Sequence, residues 1–168
     1  EKMKLNRSGF SLLEIVITVA VLGVVVSMAI PNLLAWSANH RLRVDFSQLE
    51  GDLQVARLTA INQSTAVTLL FNQPAANQYT VFIDDGSGGG IARDLIQNGT
   101  EEVVFQGQLS QGVSFSTINS SGNAILFNGR GLRSRPVIDP ASLILTNSEG
   151  RQYQIFITMV GDVNGDYL

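Results

Sequence analysis

Few side chains in this sequence could do covalent or metal chemistry. There is one histidine, His40, and no cysteine, which excludes thiolate nucleophiles, thiolate metal sites and a disulfide frame. A single histidine just beyond a long apolar run is an interfacial or solvated group rather than a base or a ligand. No serine stands in G-x-S-x-G, so a nucleophile–base pair has no signal. The run from Asp85 to Gly90 is rich in glycine but lacks the G-K-[ST] ending of a phosphate-cradling loop, and reads as a mobile loop. Asp162, Asn164 and Asp166 alternate like the first ligands of a calcium loop. The bidentate acid that would complete it is missing, so the segment reads as an acidic tail or turn. The sequence thus calls for no metal, no cofactor and no enzymatic reaction.

Charge that could recognise an anion is concentrated in Arg130, Arg133 and Arg135, around a glycine turn. Against a nucleic-acid role, residues 41–168 carry eight arginines and no lysine against twelve acids, a net of −4. Phosphate neutralisation on a polyanion needs the opposite balance. Asp139 and Glu149 are close enough in sequence to pair with the loop, and DNA contact through the three arginines is the minor reading beside a salt-bridged surface.

One further group needs explaining. Glu14 is the single charge in the run from Phe10 to Ala35. A carboxylate in or near hydrocarbon costs a few kcal/mol unless paired or close to the headgroups. Glu14 therefore either lies wetted at the interface or meets a cation.

The element that holds Glu14 is a membrane helix by its composition. From Ile15 to Ala35, a rise of about 1.5 Å per residue spans roughly 30 Å, the hydrocarbon thickness of a bilayer. Thr18, Gly23, Ser27 and Asn32 are the only interruptions, too few for the wet face of a soluble helix. Lys2, Lys4 and Arg7 precede the run and no charge lies between Ile15 and Asn39, which places the amino end in the cytoplasm and the bulk outside. A secretory signal would have a shorter apolar region and a small-x-small cleavage site. Pro31 removes an amide donor to the carbonyl of Ser27, so a kink is predicted there.

Beyond Trp36 the helical period continues. Leu42, Phe46, Leu49, Leu53, Ala56 and Ala60 recur at alternating spacings of four and three, predicting one apolar face and a helix that ends near Asn62. From Thr65 the pattern changes to β-rich runs at 66–71, 78–83, 102–106, 113–118, 124–127, 142–146 and 152–159, separated by turn residues. The fold class is α+β, a long helix packed on antiparallel sheet, with a leader at 1–9, a helix at 10–62 whose membrane part is about 10–36, and a β-rich domain at 63–168.

The local sequence from Arg7 to Ile15, RSGFSLLEI, resembles the class III signal of type IV prepilins and type II secretion pseudopilins. The resemblance implies cleavage by a prepilin peptidase after Gly9, methylation of the new amine of Phe10, and pairing of Glu14 with the amine of a neighbouring subunit. A proline at the distance of Pro31 from the cut is common in such helices. Over nearly the whole chain the layout is similar to the GspH/FimT family of minor pseudopilins and minor pilins. Its carriers are the helix segment Leu49 to Ala60, close to the family's D-L-x-x-A-R-x-x-A, then Leu126 to Gly131, LFNGRG, and Glu149-Gly150-Arg151 before a strand.

The resemblance implies a pilin-like structural subunit of a type II secretion pseudopilus, of the GspH type. The alternative is a FimT-like minor pilin concerned with pilus assembly, adhesion or DNA uptake. Its partners would be other pseudopilins or pilins, the prepilin peptidase and, before assembly, inner-membrane lipid. A membrane-anchored binding domain that never polymerises would leave Gly9, Phe10 and Glu14 without a role.

Overall fold

Helical periodicity carried without a break from the apolar run into the amphipathic one dictates a single long element, α1, over Leu12–Gln63. The computed structural model describes residues 10–134 and 139–168. Two compact units divide the chain at Ser37. In the first, α1 is exposed on all sides, as a helix apolar all round must be when no lipid or partner covers it. It is long and apolar enough to cross a membrane.

The second unit starts at Ala38 and contains the rest of α1 and, among the described residues, nine strands. Leu42, Leu49, Leu53, Ala56 and Ala60 are fully buried, and Phe46 is packed at their edge. Each such leucine contributes about 1.5–3 kcal/mol by leaving water.

The helix face is covered by two antiparallel sheets. The first runs β3 (Val103–Gln108), β2 (Gln78–Ile83), β1 (Val67–Phe71), β5 (Ala124–Phe127) and β6 (Arg133–Ser134). The second runs β4 (Val113–Asn119), β7 (Ala141–Asn147), β8 (Gln152–Ile157) and β9 (Val163–Tyr167). Strand alternation sends Val67, Leu69 and Phe71 of β1 and Leu143 and Leu145 of β7 into one core with Ile155 and Ile157 of β8. Register sets apolar residues opposite one another, as in Phe71 with Tyr79, Val67 with Phe127, and Leu143 with Ile155.

Four departures from the sequence reading have physical causes. Residues 158–162 form a turn, not the end of the strand read as 152–159: the amide of Gly161 donates to Thr158 and that of Thr158 to Asp162. The supposed acidic tail or turn is β9, paired with β8 from Val163 opposite Ile157 to Tyr167 opposite Tyr153. Gly165 is there because the ring of Phe46 fills the space a side chain would need, with 2.0 Å left between a Cβ and the ring. The two-residue strand β6 pairs with the end of β5, Arg133 opposite Phe127. Finally, the glycine-rich loop is tied down by two buried carboxylates. Asp84 accepts the amides of Arg93 and Leu95, and Glu101 those of Gly86 and Asn98 at 3.0 and 2.9 Å.

Candidate assembly site and the helix clamp

At the start of α1, Ser11 is the N-cap: its Oγ accepts the amide of Glu14 at 3.2 Å. Ser11 and Glu14 stand in the S-x-x-E spacing that opens many helices, three residues apart, where a side-chain oxygen satisfies an otherwise orphaned amide. Phe10 lies just outside the helix and is 81% exposed. Glu14 is exposed in the first turn, and no bond to its carboxylate is found among the described residues. An acid there also complements the positive end of the helix dipole. Gly9 lies outside the described residues. The helix passes through position 31 without interruption.

Farther along, the polar residues of α1 grip the β-structure at separate points. Asn39 accepts from the side-chain amide of Asn147 at 2.9 Å, and Arg41 donates to the carbonyl of Gln111 at 3.1 Å. Asp45, buried, accepts both the amide and the hydroxyl of Ser110 at 2.8 Å. Asp52 accepts the hydroxyl of Tyr79 and, at 2.9 Å, the side-chain amide of Gln48. Burial, and then this carboxylate, push the Tyr79 phenol well above its ordinary value.

Arg57 makes the most extended grip. Its Nε donates to the carbonyl of Gly131 at 3.0 Å, one Nη to the carbonyl of Val160 at 3.0 Å, and the other reaches Asp162 at 3.4 Å. One guanidinium thus joins the helix to the turn before β6 and the turn before β9. This explains the two internal motifs together: Leu53, Ala56 and Ala60 lie in the core, while Arg57 holds the backbone of the Gly129–Gly131 turn. Gly131 has φ +72, and a Cβ would stand 2.6 Å from Cδ1 of Ile61. The role of Arg57 escaped sequence reading because its partners are mostly carbonyls. The signal was its place between core alanines.

The three arginines considered for DNA do not form one patch among the described residues. Arg130 is exposed on its turn. Arg133 is buried, its Nη2 2.8 Å from the carboxylate of Asp139, so it is a structural cation rather than a surface one. Arg135 lies outside the described residues. His40 is exposed on α1, and no group of three or more metal-ligating side chains occurs among the described residues.

With this geometry in view, two family models match the chain. Residues 46–161 match type II transport protein GspH, and residues 4–30 match the prokaryotic N-terminal methylation motif. No curated protein is significantly similar in sequence. Among solved structures, the fold is similar to the minor pseudopilin EpsH from the type 2 secretion system of Vibrio cholerae, with TM-score 0.53 and 12% identity over 76% of this chain and 97% of that one. It is also similar to the type IV minor pilin FimU of Pseudomonas aeruginosa, with TM-score 0.57 and 12% identity over 78% of this chain and 92% of that one in one crystal form. A second crystal form of FimU gives TM-score 0.52 and 13% identity over 71% of this chain and 88% of that one. At these identities the likeness speaks for the pilin-like fold alone. The GspH match spans most of the sequence and includes Arg57 with its carbonyl partners Gly131 and Val160, and on that ground the chain belongs to the GspH family of pilin-like structural subunits.

Proposed function

We propose that the chain is a minor pseudopilin of a type II secretion pseudopilus. The observation that carries this reading is the joining, in one polypeptide, of an N-terminal methylation signal to a GspH domain. The chain enters the inner membrane with its amino end cytoplasmic. The peptidase cuts after Gly9, and the new amine of Phe10 is methylated. As the helix leaves the bilayer, its exposed apolar surface packs against the helices of other subunits. Pro31 is the point at which it bends, and Glu14 is compensated by a neighbour's amine. The β-domain is displayed in the periplasm, and the action is structural.

The second reading is a minor pilin of a type IV pilus, supported by the likeness to FimU. Deletion of the gene in its own host, followed by assays of secreted protein in the medium and of surface pili, separates the two. Loss of secretion with pili intact is the expected result. Loss of pili with secretion intact would transfer the assignment to the second reading.

A further inference from the structure

The acidic second unit carries an open cavity of about 390 Å³ whose lining has two arginines and no acid: Ser64, Arg93 and Arg130, all exposed, with the half-buried Asn128 and Gly129. The two ion pairs among the described residues are Arg57–Asp162 and Arg133–Asp139, so neither cavity guanidinium takes part in one. Both arginines are presented by fixed backbone. Arg93 has φ +63, a conformation that a bulky residue adopts only when its surroundings impose it. The fully buried Asp84 imposes it, accepting the amides of Arg93 and Leu95 while Thr68 donates to the same carboxylate at 2.9 Å. Arg130 sits in a turn closed by Asn128, whose Oδ1 accepts the amides of Arg130 and Leu132 at 2.9 and 3.2 Å. The third wall, Ser64, follows directly on the end of α1 at Gln63.

A helix terminus supplies one ordinary use for cations, since its last carbonyls carry roughly half a negative charge. Two guanidiniums exceed that by more than one charge. Their surplus lies in a polar recess in a unit whose other charge is mostly acidic, a setting that favours a small anion over an extended one. A duplex would need a row of cations to neutralise successive phosphates, whereas a single tetrahedral oxyanion needs two forked donors.

The geometry points to a binding site for one phosphate group, held by Arg93 and Arg130 with Ser64 and Asn128 as neutral partners. Its source is either free phosphate or the phosphodiester headgroup of a lipid. This site is independent of the secretion or pilus assignment.

The test is calorimetric titration of the full chain in a neutral detergent, with inorganic phosphate and, separately, a soluble glycerol phosphodiester, at constant chloride. Saturable binding at one site is expected, weakened at least tenfold in Arg93→Gln and in Arg130→Gln and unchanged in Arg151→Gln. The thermal midpoints of the variants, measured without phosphate, separate loss of the site from loss of the fold. Preference for the inorganic ion identifies the free anion as the ligand, and preference for the diester the headgroup; either supports the site. Absence of binding to both probes overturns it, as does undiminished binding in both cavity variants with normal midpoints. So does duplex DNA binding with a log–log salt slope steeper than about −2 and no phosphate binding, which would mark a polyanion track.

Discussion

Arg57 on α1 and Gly131 in the turn before β6 are 74 positions apart in sequence and joined by a 3.0 Å hydrogen bond from Nε to the carbonyl oxygen. The same guanidinium holds the Val160 carbonyl, so its removal strands two backbone acceptors at once. Arg57→Ala is expected to destabilise the second unit by about 2 kcal/mol, after discounting for partial exposure. Arg57→Lys should recover less than half, because an ammonium lacks the planar fork. Urea unfolding of the full chain in detergent measures both.

Gly131→Ala acts on the same junction from the other side. A side chain at φ +72 is strained, and its Cβ would press on Ile61 and lie 3.2 Å from Nε of Arg57. A loss of about 2 kcal/mol is expected. The double variant with Arg57→Ala should fall short of the sum of the two single losses, because each disrupts the other's contact. Full additivity would show that the two positions act separately.

Along the helix, neighbouring positions should differ sharply. Leu53 is fully buried and Val55 is 47% exposed. Leu53→Ala is expected to cost about 3 kcal/mol through lost burial and a cavity, and Val55→Ala less than about 0.5 kcal/mol in the monomer. Equal losses would contradict the position of the core.

Tyr79 supplies a pH dependence. Its phenol is raised above the ordinary value of 10.0 by burial and by Asp52, so the contribution is fully present below that pH. Above it the unfolded chain releases a proton that the folded chain retains, and stability falls as pH rises, by about 1.4 kcal/mol per unit for one group. Tyr79→Phe should flatten the alkaline limb of the stability curve by one proton's worth. An unchanged limb would mean that the phenol ionises in the folded chain.

For assembly, Glu14→Ala should leave membrane insertion and leader removal intact while abolishing incorporation into the filament, read by cross-linking to other pilin-like subunits. Insertion should be unaffected or improved, since an unpaired carboxylate disfavours the apolar phase. Normal incorporation would reduce Glu14 to its local place in the S-x-x-E cap.

Much of the fold was legible because burial imposes a period. The spacing from Leu42 to Ala60 located the helix face, and β-rich runs between turn residues located seven of the strands. β9 was hidden because Asn164, Gly165 and Asp166 are turn residues by type; Gly165 belongs to a strand only because Phe46 occupies the space beside it. Arg133 looked like surface charge because no pattern reveals that a two-residue strand carries it inward to Asp139. The amino-terminal signal, by contrast, is local in sequence and readable without the fold. The phosphate cavity was illegible for the opposite reason. Arg93 and Arg130 come from loops 37 positions apart, and their meeting is fixed by Asp84 and Asn128 rather than by any spacing.

The placement of the clamp also dictates an order of events. A chain emerging amino end first presents the apolar stripe of α1 long before the strands that shelter it, and Arg57 finds its last partners only when positions 160 and 162 arrive. Contacts of such long sequence separation form late and slowly. The apolar face of the helix must therefore stay uncovered while the strands are made, and the β-domain closes only once positions 160 to 165 are delivered. A chain stopped before position 160 would leave Phe46 without Gly165 beside it and the guanidinium of Arg57 without its far anchors, an unfinished surface of the kind that quality-control proteases remove.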